Sequence, residues 1–163
     1  GEELGMKGSG KDENKRAPMY WSKDGNAEGM CKGPADMDDF RMKFDSLEEQ
    51  QEDPDSIYNY VKQVIRVRNQ NPVIARGTTA YLEQYSGEQC FALTRSYEGS
   101  NLLLLGNTSA EAVSVDLTGL TVGGTTAEEL VLLGELYTGE ETAERAGTVV
   151  TLPAYSILIL GEE

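Results

Sequence analysis

Chemistry in this chain has to come from carboxylates, hydroxyls, amines and two thiols, because its 163 residues include no histidine. That removes His-based triads, His-ligated zinc and a histidine general base. Carboxylates number 28, and two at a defined separation can act as acid and as nucleophile or base in glycoside hydrolysis. The adjacent pairs Glu2–Glu3, Asp38–Asp39, Glu128–Glu129 and Glu140–Glu141 are the candidates. Neighbours on a strand point to opposite faces, so such pairs read as solvated charge, and no catalytic residue is assigned from them. DENKR and DMDDF lack the spacing and invariant glycine of a calcium loop, so no metal is assigned, and no cofactor. Gly-Ser-Gly-Lys before Asp12 misses the phosphate-loop pattern, and the aspartate would repel a phosphate. Cys31 and Cys90 match no metal or redox spacing and read as unpaired thiols.

The stretch with the strongest chemical character is KDENKRAPMYWS, Lys11–Ser22. A terminal tail held by few contacts would be polar throughout, yet this one joins charges to Pro18, Met19, Tyr20 and the sole tryptophan, Trp21. Arg16 offers five donors in a rigid fork, suited to a carboxylate or to sugar hydroxyls. Tyr20 and Trp21 offer flat faces on which a pyranose ring can stack. The plainer role for the two aromatics is to anchor a loop on a neighbouring surface.

The elements that must position these groups are uneven in charge. Residues 1–76 carry 12 Lys+Arg against 15 Asp+Glu, whereas residues 77–163 carry 2 against 13, so the second part holds −11 of the net −14. That excludes the basic surface needed for nucleic acid or anionic lipid. No apolar run is long enough to span a bilayer. Residues 1 to about 45 show no sustained periodicity, which is unusual for a loop inside a compact domain. Ser46 with Glu49 has capping-box spacing and predicts a short helix to Glu52. A longer helix is predicted from Pro54 to Asn69, with Asp53 as cap and Ile57, Tyr60, Val61, Val64 and Ile65 on one face; NQNP ends it. From Gly77 the period becomes two. TTAYLEQY, QCFALTRSY, SNLLLLGN, AVSVDL, ELVLLGEL, TVVTL and AYSILIL read as strands, with Leu102–Leu105 central and covered on both faces. SGEQ, EGSN, TVGGTT and YTGEE read as turns. Strands without intervening helices imply an antiparallel sandwich or barrel. Tyr81 with Tyr85, and Phe91 with Tyr97, would share strand faces, as the aromatics of a carbohydrate-binding module do.

GEELGM, Gly1–Met6, followed by KDENKRAPMYW resembles the segment after the eighth barrel strand in α-amylase-family glycoside hydrolases, including oligo-1,6-glucosidases and α-glucosidases. The family commonly reads Gly-Glu-Glu-Ile-Gly-Met and then Arg-Thr-Pro-Met-x-Trp; here Leu4 replaces Ile and Ala17 replaces Thr. DPDSIYNYVKQVIRVRNQNPVIARG looks like the last barrel helix and its exit, and LPAYSILIL like the closing strand of the C-terminal β-sandwich. The resemblance implies a mainly β chain, an antiparallel Greek-key β-sandwich preceded by an irregular segment and one or two helices from the end of a (β/α)8 barrel. Residues 1–53 would be the loop after the last barrel strand, 54–76 the last barrel helix and exit, and 77–163 the C-terminal domain.

The resemblance also implies a retaining mechanism on α-glucosidic bonds, with Asp, Glu and Asp supplied by barrel strands upstream of Gly1, so this chain should be inactive alone. Arg16 matches an arginine that holds the non-reducing glucose in the −1 subsite of exo-acting relatives. Glu2 and Glu3 match the acidic pair at the barrel rim, with structural or indirect roles, and Tyr20 and Trp21 match the loop's aromatic anchor. The implied partners are the missing barrel and an α-glucan, malto- or isomalto-oligosaccharide. Without the barrel, residues 1–45 are expected to be mobile or held by non-native contacts. The apolar face of the 54–69 helix is expected to pack on the sandwich or on a second copy, as a homodimer. Extracellular and cytoplasmic locations stay open, since a targeting region would lie upstream. A free-standing carbohydrate-binding or interaction module is the alternative function.

Overall fold

The computed structural model describes residues 1–25 and 27–162. The chain forms two compact units, Gly1–Lys62 and Gln63–Glu163. Among the described residues three α-helices occur: α1 (Leu47–Glu52), α2 (Ile57–Gln70) and α3 (Pro72–Arg76). The ten strands are β1 (Thr78–Tyr81), β2 (Cys90–Tyr97), β3 (Ser100–Asn107), β4 (Val113–Asp116), β5 (Thr121–Val122), β6 (Thr125–Thr126), β7 (Val131–Leu136), β8 (Glu144–Ala146), β9 (Val149–Leu152) and β10 (Ile157–Gly161).

In the first unit, the chain up to α1 holds two single-turn 3-10 helices, Glu2–Leu4 and Asp12–Arg16. Ser46 and Glu49 form the expected capping box at the start of α1. Helix α2 begins at Ile57 rather than Pro54, and its cap is Ser56, not Asp53. Ser56 is buried, its Oγ accepts the Asn59 N–H at 3.2 Å, and its hydroxyl donates to the Gln50 carbonyl at 2.6 Å. One hydroxyl thus serves both helices, while Asp53 ends α1 and accepts the Asp55 N–H at 3.0 Å. No residue of α2 is fully buried; Val61 is half-buried and Ile65 is 52% exposed.

The second unit is a β-sandwich. One antiparallel sheet runs β1-β2-β3-β10-β7, the other β4-β9-β8, and β5 and β6 form a separate hairpin. Segment TVGGTT, expected as a plain turn, is that hairpin, with Gly123 and Gly124 at φ +64° and +102° where a side chain would be strained. Glu98 and Gly99 both have positive φ between β2 and β3, the geometry of a two-residue hairpin loop that follows strand twist. Strand β3 lies at the centre of its sheet, as the four leucines require. Leu103 and Leu105 face Val115, Val150 and Leu152 across the core, joined by Ala92, Leu158 and Leu160. Leu102 and Leu104 face the other way, in register with Arg95, Leu93 and Ile159. Gly106 lies beneath the Phe91 ring, where a Cβ would come within 2.1 Å of the aromatic carbons.

Polar groups fix the ends of these strands. Asn107 is buried, and its Nδ2 donates to the carbonyls of Glu111, Leu152 and Pro153 at 2.7, 3.2 and 2.9 Å. Its Oδ1 accepts the Ser109 N–H at 2.9 Å and hydroxyl at 2.8 Å. One side chain thereby ties the exit of β3 to the turn that leads into β10. Arg145 does similar work for β7, donating to the carbonyls of Leu130 and Ala127. Asn107→Ala leaves several buried polar groups without partners and is expected to lower stability by about 3 kcal/mol. Thr108→Ala, at an exposed neighbour, is expected to change it little; urea unfolding followed by far-UV circular dichroism compares the two.

Candidate functional site: the Lys11–Trp21 loop

The loop is built around Asn14, which is buried although it sits inside DENKR. Its Nδ2 donates to the Ser9 carbonyl and to Asp38 Oδ2, each at 2.8 Å, and its Oδ1 accepts the Asp38 N–H at 2.9 Å. Lys11 Nζ closes on Asp38 Oδ1 at 2.7 Å. The Lys11 ammonium first, and then Asn14, holds the Asp38 carboxyl below the ordinary carboxylate value. Gly8 packs so closely that a Cβ would stand 2.5 Å from the Asn14 carbonyl oxygen, so the loop needs glycine there.

Beyond Asn14 the chain runs alongside α1. The first amides of any helix lack intrahelical partners. Here Leu47 N–H donates to the Tyr20 carbonyl at 2.9 Å and Glu48 N–H to the Trp21 carbonyl at 3.1 Å. Ser46 Oγ accepts the Glu49 N–H at 3.4 Å, and Glu49 Oε2 accepts the Ser46 N–H at 3.1 Å. Lys23 then reaches Glu49 Oε1 at 3.1 Å. Gln50 ties the Gly-Glu-Glu-Leu turn to the same helix: its Nε2 donates to the carbonyls of Leu4 at 3.0 Å and Asp45 at 2.8 Å, and its Oε1 accepts the Tyr58 N–H at 3.1 Å.

Arg16 is exposed and paired with Asp12, its Nη2 standing 2.6 Å from Asp12 Oδ2 one helical turn away. The guanidinium is therefore at the surface and held by an exchangeable partner, since exposed ion pairs contribute little. Tyr20 is half-buried, and its hydroxyl contacts the Lys23 carbonyl at 3.5 Å. Trp21 is 45% exposed, and the hydrogen bonds that fix this stretch run through the carbonyls of Tyr20 and Trp21, not their rings. Glu2 is exposed and Glu3 half-buried, both in the turn that buries Leu4. A cavity of about 780 Å³ lies beside the loop, lined by Pro18, Tyr20, Met30, Met37, Phe40 and Met42 among others. The structure thus gathers Tyr20 at the cavity and Arg16 on the adjoining turn, with Glu2 and Glu3 on a separate turn. Asn14 and Gln50, which organise this unit, carried no signal in the sequence beyond being polar.

A general acid needs a pKa raised toward neutrality, whereas Asp38, Glu49, Asp116 and Glu129 are all lowered by hydroxyl, amide or ammonium donors. Glu129 is spent on the Thr126 hydroxyl and N–H. Among the described residues no group of three or more His, Cys, Asp or Glu side chains is placed to hold a metal ion. Both cysteines are free, Cys31 exposed and Cys90 half-buried.

No protein-family model matches the chain. No curated protein matches it either. Among solved structures, Eubacterium rectale Amy13B is similar over 100% of this chain, with 40% identity and a TM-score of 0.88. An α-amylase from H. orenii is similar over 100% of it, with 27% identity and a TM-score of 0.76. The trehalulose synthase MutB shares the fold over 91%, with 24% identity and a TM-score of 0.64. The chain spans 30%, 31% and 25% of the lengths of these three proteins. The strand-rich unit is thus a mainly β domain of the amylase C-terminal type. These neighbours are α-amylase-family proteins, and the chain matches a portion of each.

The Ser46 hydroxyl and N–H, with Lys23, hold the Glu49 carboxyl below the ordinary value of 4.5. A depressed carboxylate stabilises the fold above its unfolded pKa and loses that contribution as pH falls through the folded value. Acidification from pH 6 to about pH 3 is therefore expected to loosen the Tyr20–Lys23 strap and shift Trp21 emission. Glu49→Gln should show the loosened emission already at pH 6 and lose that step. An unchanged acid step in Glu49→Gln would contradict this.

Proposed function

We propose that this chain is the C-terminal part of an α-glucan-acting glycosidase, in which the sandwich supports a catalytic barrel and supplies no catalytic group. In this reading residues 1–53 follow the last barrel strand, residues 54–76 are the last barrel helix and its exit, and Arg16 contacts the sugar in the −1 subsite. The observation that carries the support role is the second face of the five-stranded sheet. Leu93, Leu104 and Ile157 stand half-buried there, outside the sandwich core. Helix α3 covers one end of that face, clamped by Arg95, whose Nη2 donates to the Ile74 carbonyl at 2.6 Å and whose Nε donates to Val73 at 3.4 Å. Apolar area left half-covered favours burial by about 25 cal/mol per Å², and the barrel is the partner that likeness to these α-amylase-family proteins supplies.

Arg16 fits its assigned role because it is exposed, permanently charged and released from Asp12 at small cost. The pure 163-residue chain is expected to release no glucose from maltoheptaose or isomaltotriose. The longer protein carrying the upstream barrel should hydrolyse one of them, and Arg16→Ala there should reduce kcat/KM about 100-fold. Hydrolysis by the chain alone, or full activity of Arg16→Ala, would overturn the corresponding half of the proposal.

A further inference from the structure

Strand β1 ends at Tyr81, and the chain turns through the 3-10 helix Glu83–Tyr85. Tyr81 and Tyr85 therefore do not share a strand face, as their spacing had suggested. They line one groove instead. It has a volume of about 620 Å³, and Glu83, Gln84, Gly119 and Thr121 contribute to its walls. It opens where the chain leaves the edge strand of the sheet, and Leu82 and Leu120 also line it, at the border of the sandwich core.

We propose that this groove is a carbohydrate-binding site separate from the Arg16 loop, taking a neutral oligosaccharide of α-linked glucose. Tyr81 is 61% exposed, which gives an accessible aromatic face. Tyr85 packs against the core and its hydroxyl donates to the Thr118 carbonyl at 3.2 Å, so its ring is fixed before any ligand arrives. A rigid aromatic costs little entropy on binding, and pyranose C–H faces stack on such rings. Glu83, Gln84 and Thr121 are exposed, and their side chains are free to meet sugar hydroxyls. The charge of the sandwich, −11 over residues 77–163, disfavours phosphates, nucleic acids and acidic glycans, and the two tyrosine rings favour a neutral sugar. Only the choice of α-linked glucose rests on the function proposed above; the site itself rests on the two tyrosines and their polar surround.

The test is a titration of the isotopically labelled chain with maltoheptaose, and separately with cellohexaose, following backbone amide shifts. Saturable shifts at residues 81–85 and 119–121 are expected with maltoheptaose, weakened about fivefold or more by Tyr81→Ala. Tyr81 is exposed, so this variant keeps the fold, which an unchanged spectrum elsewhere verifies. Tyr81-dependent binding of cellohexaose alone would uphold the site and overturn the α-glucan assignment. Absence of Tyr81-dependent shifts with both sugars would overturn the site, while leaving the barrel-support reading intact.

Discussion

Four consecutive leucines in one strand force the sheet to be covered twice. Strand side chains alternate in direction, so Leu103 and Leu105 point to one side of β3 while Leu102 and Leu104 point to the other. The first side is filled by β4, β9 and the β5–β6 hairpin, and Leu103 and Leu105 are fully buried there. The second side receives helix α3 at one end and stays open around Leu93 and Leu104. Everything else in the second unit follows from serving this strand: Asn107 secures its exit, Phe91 fills the gap over Gly106, and the Glu98–Gly99 turn returns β2 into it.

The first unit follows a different logic, in which polar side chains take the place of a core. Leu4 is its one fully buried large apolar side chain among the described residues. Asn14, Ser46, Gln50 and Ser56 are buried instead; Asn14, Gln50 and Ser56 each bond two or more backbone groups, and Ser46 bonds both the N–H and the carboxylate of Glu49. Such a unit gains modestly from each hydrogen bond and loses heavily if a buried partner is removed. It also leaves Arg16, Trp21 and a methionine-lined cavity at the surface.

Much of this was legible in the sequence, for stated reasons. The Ser46–Glu49 box was readable because its spacing is set by one helical turn, and β3 because an unbroken apolar run fits only a central strand. Helix α2 was readable from its periodicity, but its start was misplaced by three residues. Two candidate caps, Asp53 and Ser56, flank a Pro-containing turn, and the choice between them is made by the Gln50 carbonyl, a tertiary contact. Short strands β5, β6 and β8 were missed because two or three residues show no period, and α3 because NQNP both stops one helix and starts another, with Pro72 in its first turn. The tyrosine groove was seen only as a shared strand face, since nothing local announces that β1 stops at Tyr81. In the candidate site, Arg16 and the two aromatics stood out by type, whereas Asn14 was hidden among charged neighbours that it alone does not resemble in burial.

The central claim, that the second sheet face exists to be covered by a catalytic barrel, is tested most directly by hydrogen–deuterium exchange. The chain alone would be compared with the same residues inside the longer protein that carries the barrel. Covering that face should slow exchange at the β1–β2 edge around Leu93 and along residues 1–62, and leave the already protected amides around Leu103 and Leu105 unchanged. Identical exchange at the Leu93 edge and along residues 1–62 in both proteins would contradict the claim and leave the sandwich as a module that stands by itself.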